Sequence, residues 1–354
     1  METPVLTAAS PADIRAAADA FRAATPRARA RNIAVGIGVS EAELLATRVG
    51  GDGVTRLDGD LAALVMRLPE LGRVMLLTRN DAVVHETTGT CAGGERMAAH
   101  AMGLFGGEEI DVRYFFRRWK TGFLAEDGPR LSFQFFDADG SAVHKVYSVA
   151  GAADVPGTDL AAMRALAADF AAADQSDAQP VTPIAPTPER DVSEIDHDAF
   201  HTDWRALTDT HDFFGLLRRH GVSRRQAVRH APADLARPLD ARTAARRVLT
   251  AARDGGVPVM TFVGNEGAVQ IHTGVPGKLV EAGPWYNVLD PAFNLHLDET
   301  QIDEAYVVVK PTDDGIVTSV ELFDAAGALV LQVFGKRKPG IPEREDWRAL
   351  VASL

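Results

Sequence analysis

Two distant stretches of the chain follow nearly the same plan. Gly38-Val39-Ser40 opens one, which runs to Leu77-Thr78-Arg79-Asn80 and Gly89; Gly221-Val222-Ser223 opens the other, which runs to Phe262-Val263-Gly264-Asn265 and Gly274. The spacing between copies drifts slowly, from 183 at the opening glycines to 185 at the asparagines and 187 at Phe136-Asp137 and Phe323-Asp324. Self-similarity of this kind means one structural unit built twice. At 354 residues the chain can bury a separate core for each copy. A residue that is polar, basic or aromatic in only one copy is then not required to build the unit.

Local patterns give each copy the same order of elements. Ser40 with Glu43 and Ser223 with Gln226 have the capping-box spacing, in which the hydroxyl and the third-position side chain satisfy free amides at a helix start. Strand patterns follow at 74–78, 83–86, 110–118 and 131–136, and again at 259–263, 269–272, 306–310 and 317–323. Asp137-Ala138-Asp139-Gly140 and Asp324-Ala325-Ala326-Gly327 read as hairpin turns into strands at 142–149 and 328–336. Helices are expected at 160–173 and 342–354. The fold class is therefore α+β, a tandem duplication in which each half has helices, a large antiparallel sheet and a C-terminal helix. The boundary falls in the proline-rich stretch 174–192, an extended linker between repeats at 1–173 and 193–354.

Composition narrows the function classes. Hydrophobic residues make up 46% and charged residues 24%, as in soluble globular proteins. A net charge of −12 argues against general nucleic-acid or anionic-membrane binding, both of which need a basic surface. The single Cys91 excludes an intrachain disulfide and a multi-cysteine metal site, and fits a reducing compartment. Met1-Glu2-Thr3-Pro4 lacks a signal-peptide pattern, and no apolar run reaches membrane-spanning length, so the expectation is a cytoplasmic protein without membrane insertion.

The sharpest amphipathic pattern lies at 200–219. Phe200, Trp204, Leu207, His211, Phe214 and Leu217 share one helical face, which predicts a single helix with His211 inside an apolar stripe. A histidine so placed is commonly a core residue. Two features favour a ligand instead. Gly215 leaves space one turn on, and the repeat puts Ala28 opposite His211. Further along, Arg224 and Arg225 open the next helix, as surface residues or as partners of a carboxylate near His211. Alternation at 330–336 puts Val330, Gln332, Phe334 and Lys336 on one strand face, with Arg337 and Lys338 beyond. Tyr306, Val308 and Lys310 share another face, and Asp111, Arg113, Phe115 and Arg117 a third. Arg113 stands opposite His296 of the second copy. Such a set suits a planar, apolar dianion with a metal at its centre.

These residues also resemble a known family, the cytoplasmic hemin-degrading or haem-trafficking proteins of bacterial haem-uptake systems (the HemS/HmuS/ChuS/PhuS group). The blocks that carry the resemblance are Leu77–Asn80, Glu109–Arg113, Gln134–Asp137 with Gly140, Ala142–Tyr147, Asp209–Phe214, Phe262–Asn265 and Gly335–Gly340, in order over nearly the whole chain. The resemblance implies haem b, as ligand or substrate, bound by the C-terminal half. It places the axial iron ligand on His211 and propionate or distal polar contacts on Arg224, Lys310, Gln332 and Arg337. Phe262 falls on a pocket aromatic. Arg113 and Phe115 fall on the distal first-half positions, with Arg117 or Arg118 as the alternative register. Phe334 stands where relatives carry a tyrosine, which removes a hydroxyl.

The resemblance implies two activities. One is oxidative haem degradation with a reductant or reductase, using Arg113 and His211. The other is a chaperone that takes haem from an ABC importer to a separate haem oxygenase. A non-haem binding module is the remaining alternative. His85 is a secondary haem contact to test, and Cys91 a thiolate alternative.

Overall fold

The computed structural model of the chain describes residues 9–51, 53–152, 154–185, 187–338 and 340–354. The N-terminal Met1–Pro4 and Pro339 of the basic segment, both read in the sequence, lie outside them. Two compact units form. The first comprises Met1–Arg79, Glu86–Ala185 and Asn265–Gln270; the second comprises Asn80–His85, Pro186–Gly264 and Ile271–Leu354.

Each unit thus includes a short segment from the other half of the sequence, beginning at the repeat asparagine. Asn80 accepts hydrogen bonds from the Ala82 and Val83 amides (3.1 and 2.8 Å) and donates to the carbonyls of Gly264 and Val330 (3.1 and 2.9 Å). Asn265 repeats the pattern, accepting from Gly267 and Ala268 (2.9 and 3.1 Å) and donating to Arg79 and Val143 (2.9 and 2.8 Å). Only an amide side chain can accept from two N–H groups and donate to two carbonyls. Aspartate has no donor, which accounts for asparagine in both copies.

In chain order the first half contains α1 (Pro11–Ala24), α2 (Ala30–Ile37), α3 (Glu41–Ala46), β1 (Val54–Leu57), α4 (Leu61–Met66), β2 (Arg73–Arg79) and β3 (Val83–Thr90). It continues with β4 (Gly94–Met97), β5 (Met102–Gly106), β6 (Asp111–Phe115), β7 (Thr121–Asp127), β8 (Arg130–Phe136), β9 (Ala142–Ser148) and α5 (Leu160–Asp169). The second half contains α6 (His197–Arg205), α7 (Asp212–His220), α8 (Arg224–Arg229), β10 (Ala236–Leu239), α9 (Ala244–Gly255), β11 (Val259–Gly264) and β12 (Ala268–Gly274). After them come β13 (Leu279–Ala282), β14 (Trp285–Leu289), β15 (Phe293–Asp298), β16 (Glu304–Thr312), β17 (Gly315–Phe323), β18 (Leu329–Gly335) and α10 (Glu345–Ala352).

Two large antiparallel sheets result, as the duplication predicts. The first unit carries the order β1-β7-β8-β9-β2 and a β4-β5-β6 meander; the second carries β10-β16-β17-β18-β11 and a β13-β14-β15 meander. The helix starts follow the sequence signals. Complete capping boxes form at Ser40–Glu43 and Ser223–Gln226. The preceding helices end on Gly38 (φ 77°) and Gly221 (φ 63°), left-handed caps that a side chain would strain.

The central sheet of the second unit is covered on both faces. Val307, Val320, Leu322, Leu331 and Val333 pack with Val248 and Leu249 of α9 and Trp347 and Leu350 of α10. Tyr306, Val308 and Phe323 pack with Phe200, Trp204, Phe213 and Leu216 of α6 and α7. A register shift between Leu322 and Phe323 turns Val330 into the α9/α10 core, so it leaves the face predicted for it beside Gln332 and Phe334. In the first unit, β6 ends at Phe115 and the chain makes a 3-10 turn at Phe116–Arg118. The turn buries Trp119, whose Nε1 donates to the Gly267 carbonyl at 2.9 Å. Arg117 therefore does not extend the Asp111, Arg113, Phe115 face.

His144 is a buried strand residue between Thr78 Oγ1 (2.9 Å) and the Tyr114 hydroxyl (3.3 Å). Burial pulls its pKa down to about 3, and pulls that of the partly buried His272, stacked 3.8 Å from the Phe293 ring, to about 4. Below the ordinary value of 6.5 the unfolded chain binds protons that the folded chain refuses. Stability is then lost as pH falls from 6.5 toward about 3, with His144 contributing up to about 1.4 kcal/mol per pH unit. Urea midpoints at pH 7 and pH 5 should show this slope, and His144→Gln should flatten it.

Candidate functional site

The predicted single helix at 200–219 is broken. α6 ends at Arg205 and α7 begins at Asp212, with Thr208-Asp209-Thr210 between them. These residues compete with helical hydrogen bonding, and Asp209 Oδ1 accepts from the His211 amide at 2.8 Å to close a local turn. The break rotates the stripe. Phe200, Trp204, Leu207 and Leu217 stay buried with Phe213 and Leu216, while His211 and Phe214 are exposed. His211 is therefore not a core histidine. Its Nδ1 lies 2.7 Å from Asp209 Oδ1, and Nε2 has no protein partner among the described residues. The hydrogen bonds from His211, backbone first, hold the Asp209 carboxyl below its ordinary pKa, with help from the charge of Arg337.

The turn is fixed to the end of the β16–β17 hairpin. Trp204 Nε1 donates to the Val309 carbonyl (3.0 Å), and the Asp313 amide donates to the Thr208 carbonyl (2.9 Å). Asp314 of the same hairpin faces Arg337 at 3.4 Å and accepts from the Gly340 amide at 2.8 Å. Gly215, one turn into α7, borders open space: a Cβ built there meets no atom within 4 Å.

Between α6–α8 and the sheet lies a cluster that gathers three of the predicted residues around one the sequence reading missed. Glu321 of β17 is fully buried. Its Oε1 accepts from Lys310 Nζ (2.8 Å), Ser319 Oγ (2.9 Å), Gln332 Nε2 (3.0 Å) and Arg224 Nη2 (2.8 Å), and its Oε2 accepts from Arg224 Nε (2.6 Å). Arg224 is thus no solvated surface arginine. It reaches inward from the first turn of α8, with 24% of its side chain still exposed, whereas Lys310 is sealed at 3%. Phe213 covers both cations, 5.1 Å from the Arg224 guanidinium and 4.8 Å from the Lys310 ammonium. Phe262 and Phe334 pack edge-on at 5.0 Å beside Lys310.

Burial works against the charge of Glu321, but Arg224 and Lys310 outweigh it and hold the carboxyl far below its ordinary range. Burial lowers Lys310 to about 8, with Glu321 opposing the shift. All three groups are ionised at neutral pH, so the cluster keeps one uncompensated positive charge.

Arg113 and Phe115 stand on β6 of the first unit. Arg113 pairs with Asp111 and donates to the carbonyls of Val112 (3.2 Å) and Phe105 (3.4 Å). Arg118, the alternative in that register, pairs with Glu266 (2.8 Å) and lies 3.7 Å from Asp137. Cys91 is buried and its thiol is pushed up to about 12, which removes the thiolate alternative. His85 is buried on β3 with its ring edge-on to Phe293 at 5.0 Å.

Glu321 escaped detection because nothing in the alternation of β17 distinguishes a buried carboxylate from a solvated one. A continuous helix would put Phe214 in the apolar stripe; the break puts Phe213 there instead. Among the described residues no group of three or more His, Cys, Asp or Glu is placed to hold a metal ion. A single exposed imidazole suits a metal that brings most of its own ligands.

The fold is that of a duplicated α+β protein whose second unit carries the exposed His211–Asp209 pair and the buried Glu321 cluster. The haemin-degrading HemS/ChuX domain model matches residues 38–170 and 221–354, and the chain belongs to that family. It is 39% identical over 337 residues to the hemin transport protein HmuS of Yersinia pestis, covering 94% of each chain. Holo-PhuS, a heme-binding protein from Pseudomonas aeruginosa, superimposes with a TM-score of 0.92 at 43% identity, covering 98% of this chain and 99% of that one. The heme-degrading enzyme ChuS of Escherichia coli O157:H7 does so with a TM-score of 0.87 at 35% identity over 98% and 99% of the two chains.

Proposed function

We propose that this chain is a cytoplasmic haem-binding protein of a bacterial haem-uptake system, with His211 as the iron ligand. The observation that carries the reading is the His211–Asp209 pair. An exposed imidazole whose Nδ1 is held by a carboxylate presents Nε2 outward, the arrangement typical of metal-ligating histidines. Porphyrin supplies the remaining in-plane ligands, so one protein nitrogen suffices. Phe262, Phe334 and Phe214 offer apolar surface to the macrocycle. Arg224 and Arg337 supply charge for its propionates, while Lys310 stands behind them. Arg113 and Phe115, of the first unit, are further candidates for haem contact. No helix among the described residues is long and apolar enough to cross a membrane.

Of the two activities, carriage of haem from an importer to a separate oxygenase is favoured. Arg113 is already engaged by Asp111, and Phe334 brings no hydroxyl to the iron side. Degradation by the protein itself requires a reductant and oxygen, with the redox chemistry residing in haem. Haemin titration followed by ascorbate, with catalase present throughout, separates these readings. Carriage predicts a saturable Soret band that persists. Bleaching to an open tetrapyrrole establishes an enzyme, and a chain that stays colourless after titration ends the haem reading.

A further inference from the structure

The side chains on Glu321 divide the Arg224 guanidinium into two edges. Its Nε–Nη2 edge is gripped by Glu321, and Phe213 lies over its face. The Nη1 nitrogen has no protein acceptor among the described residues, and part of the side chain reaches the surface. A guanidinium is planar and rigid, so gripping one edge fixes the direction of the other. We propose that Glu321 is a positioning residue: by holding the inner edge of Arg224 it aims the Nη1–Nη2 edge at a ligand carboxylate. Given the haem reading, on which this inference rests, that carboxylate is one propionate of the tetrapyrrole.

The duplication supplies an internal comparison. Glu321 pairs across the sheet with Gln332, as Gln134 pairs with Lys145 in the first unit. The position of Glu321 is therefore filled there by Gln134, whose amide donates among the described residues to Ser132 Oγ at 3.0 Å. The helix position of Arg224 is filled by Glu41, which accepts from Lys145 at 2.6 Å and lies 3.8 Å from Arg31. The carboxylate has moved from sheet to helix and the sheet carries an amide. The unit folds without a carboxylate at this point of the sheet, so Glu321 is present for what it does to Arg224. Lys310 has its own part. Counting from the same register, Asp127 at the exposed end of β7 stands where Lys310 stands in β16. Lys310 is the counter-cation that keeps a fully buried Glu321 charged.

The test is Glu321→Gln, the side chain the first unit already uses. With Glu321 neutral, the sealed Lys310 has no carboxylate partner among the described residues and sheds its proton, so the net charge beside Arg224 stays at one. Aim is lost while charge is kept. Haemin and its dimethyl ester, which has no propionate charge, are titrated into the wild-type chain and the variant. The wild type should bind haemin at least about tenfold more tightly than the ester, and the variant should lose most of that preference while binding the ester unchanged. Equal weakening toward both ligands assigns Glu321 to structure alone and overturns the proposal, as does a variant that keeps the full preference. A wild type without preference removes Arg224 from propionate recognition and the proposal with it. Failure of the haem reading is distinguishable, because then neither ligand gives a His211-dependent spectrum with the wild type.

Discussion

Replacing His211 by alanine should remove the low-spin bands of the haem-loaded protein and leave the ligand-free fold unchanged. The ring is 90% exposed and its side-chain partner is Asp209, a residue of the same turn. Exposed substitutions of this kind stay within about 0.5 kcal/mol of the parent stability. Loss of a second-shell partner commonly lowers metal affinity by about 10–100-fold, and loss of the ligand itself should exceed that. Asp209→Asn should give the smaller effect. It keeps an acceptor for Nδ1–H but removes the charge that makes the imidazole a stronger donor to iron. Absorbance titration with haemin reads both variants, and urea unfolding of the ligand-free proteins supplies the control. A His211→Ala protein with wild-type bands moves the iron to another residue.

Glu321→Ala should destabilise the ligand-free protein by about 3–5 kcal/mol, the range for removing one partner of a buried ion pair. The carboxylate accepts five hydrogen bonds, and its loss strands Lys310 between Phe213 and Phe334. Lys310→Met should relieve much of that penalty in the double variant, because no buried amine is then left without its carboxylate partner. The pH dependence has a definite sign. The folded pKa of Glu321 is depressed, so its contribution is complete above the ordinary 4.5 and is lost as pH falls toward the folded value. Lys310 behaves differently. Its folded pKa of about 8 lies below the ordinary 10.5, so between these values the unfolded chain holds a proton the folded chain has released, and stability rises with pH there. Denaturant midpoints from about pH 2 to about pH 10 should show both limbs in the wild type and neither in the double variant. A single Glu321→Ala variant as stable as the parent would mean that the cluster does not hold the helices to the sheet.

Much of the fold was legible because its signals are local. Capping boxes at Ser40 and Ser223, hairpin turns after Phe136 and Phe323, and the repeat itself depend on residues close in sequence or on a comparison the chain contains. The errors arose where tertiary contacts outweighed local pattern. The stripe from Phe200 to Leu217 has helical period throughout, yet Asp209 closes a turn and the hairpin end binds Thr208, so His211 faces outward. Val330 alternates with Gln332, yet the register shift that leaves it unpaired between Leu329 and Leu331 buries it on the other face.

From sequence alone came the duplication, the antiparallel α+β class, the family and nearly every candidate side chain, including His211, Arg224, Lys310 and Gln332. The duplication and the fold class are properties of order and spacing, and the family came from the resemblance of its ordered blocks. Tertiary structure alone decided what the side chains do to one another. It joined Arg224, Lys310 and Gln332 through Glu321, set Phe213 over the cations in place of Phe214, and gave His211 its carboxylate and its exposure. The physical reason is range: a cap or a turn is settled within a few residues, whereas a buried charge is settled by whichever donors the fold brings to it from elsewhere in the chain.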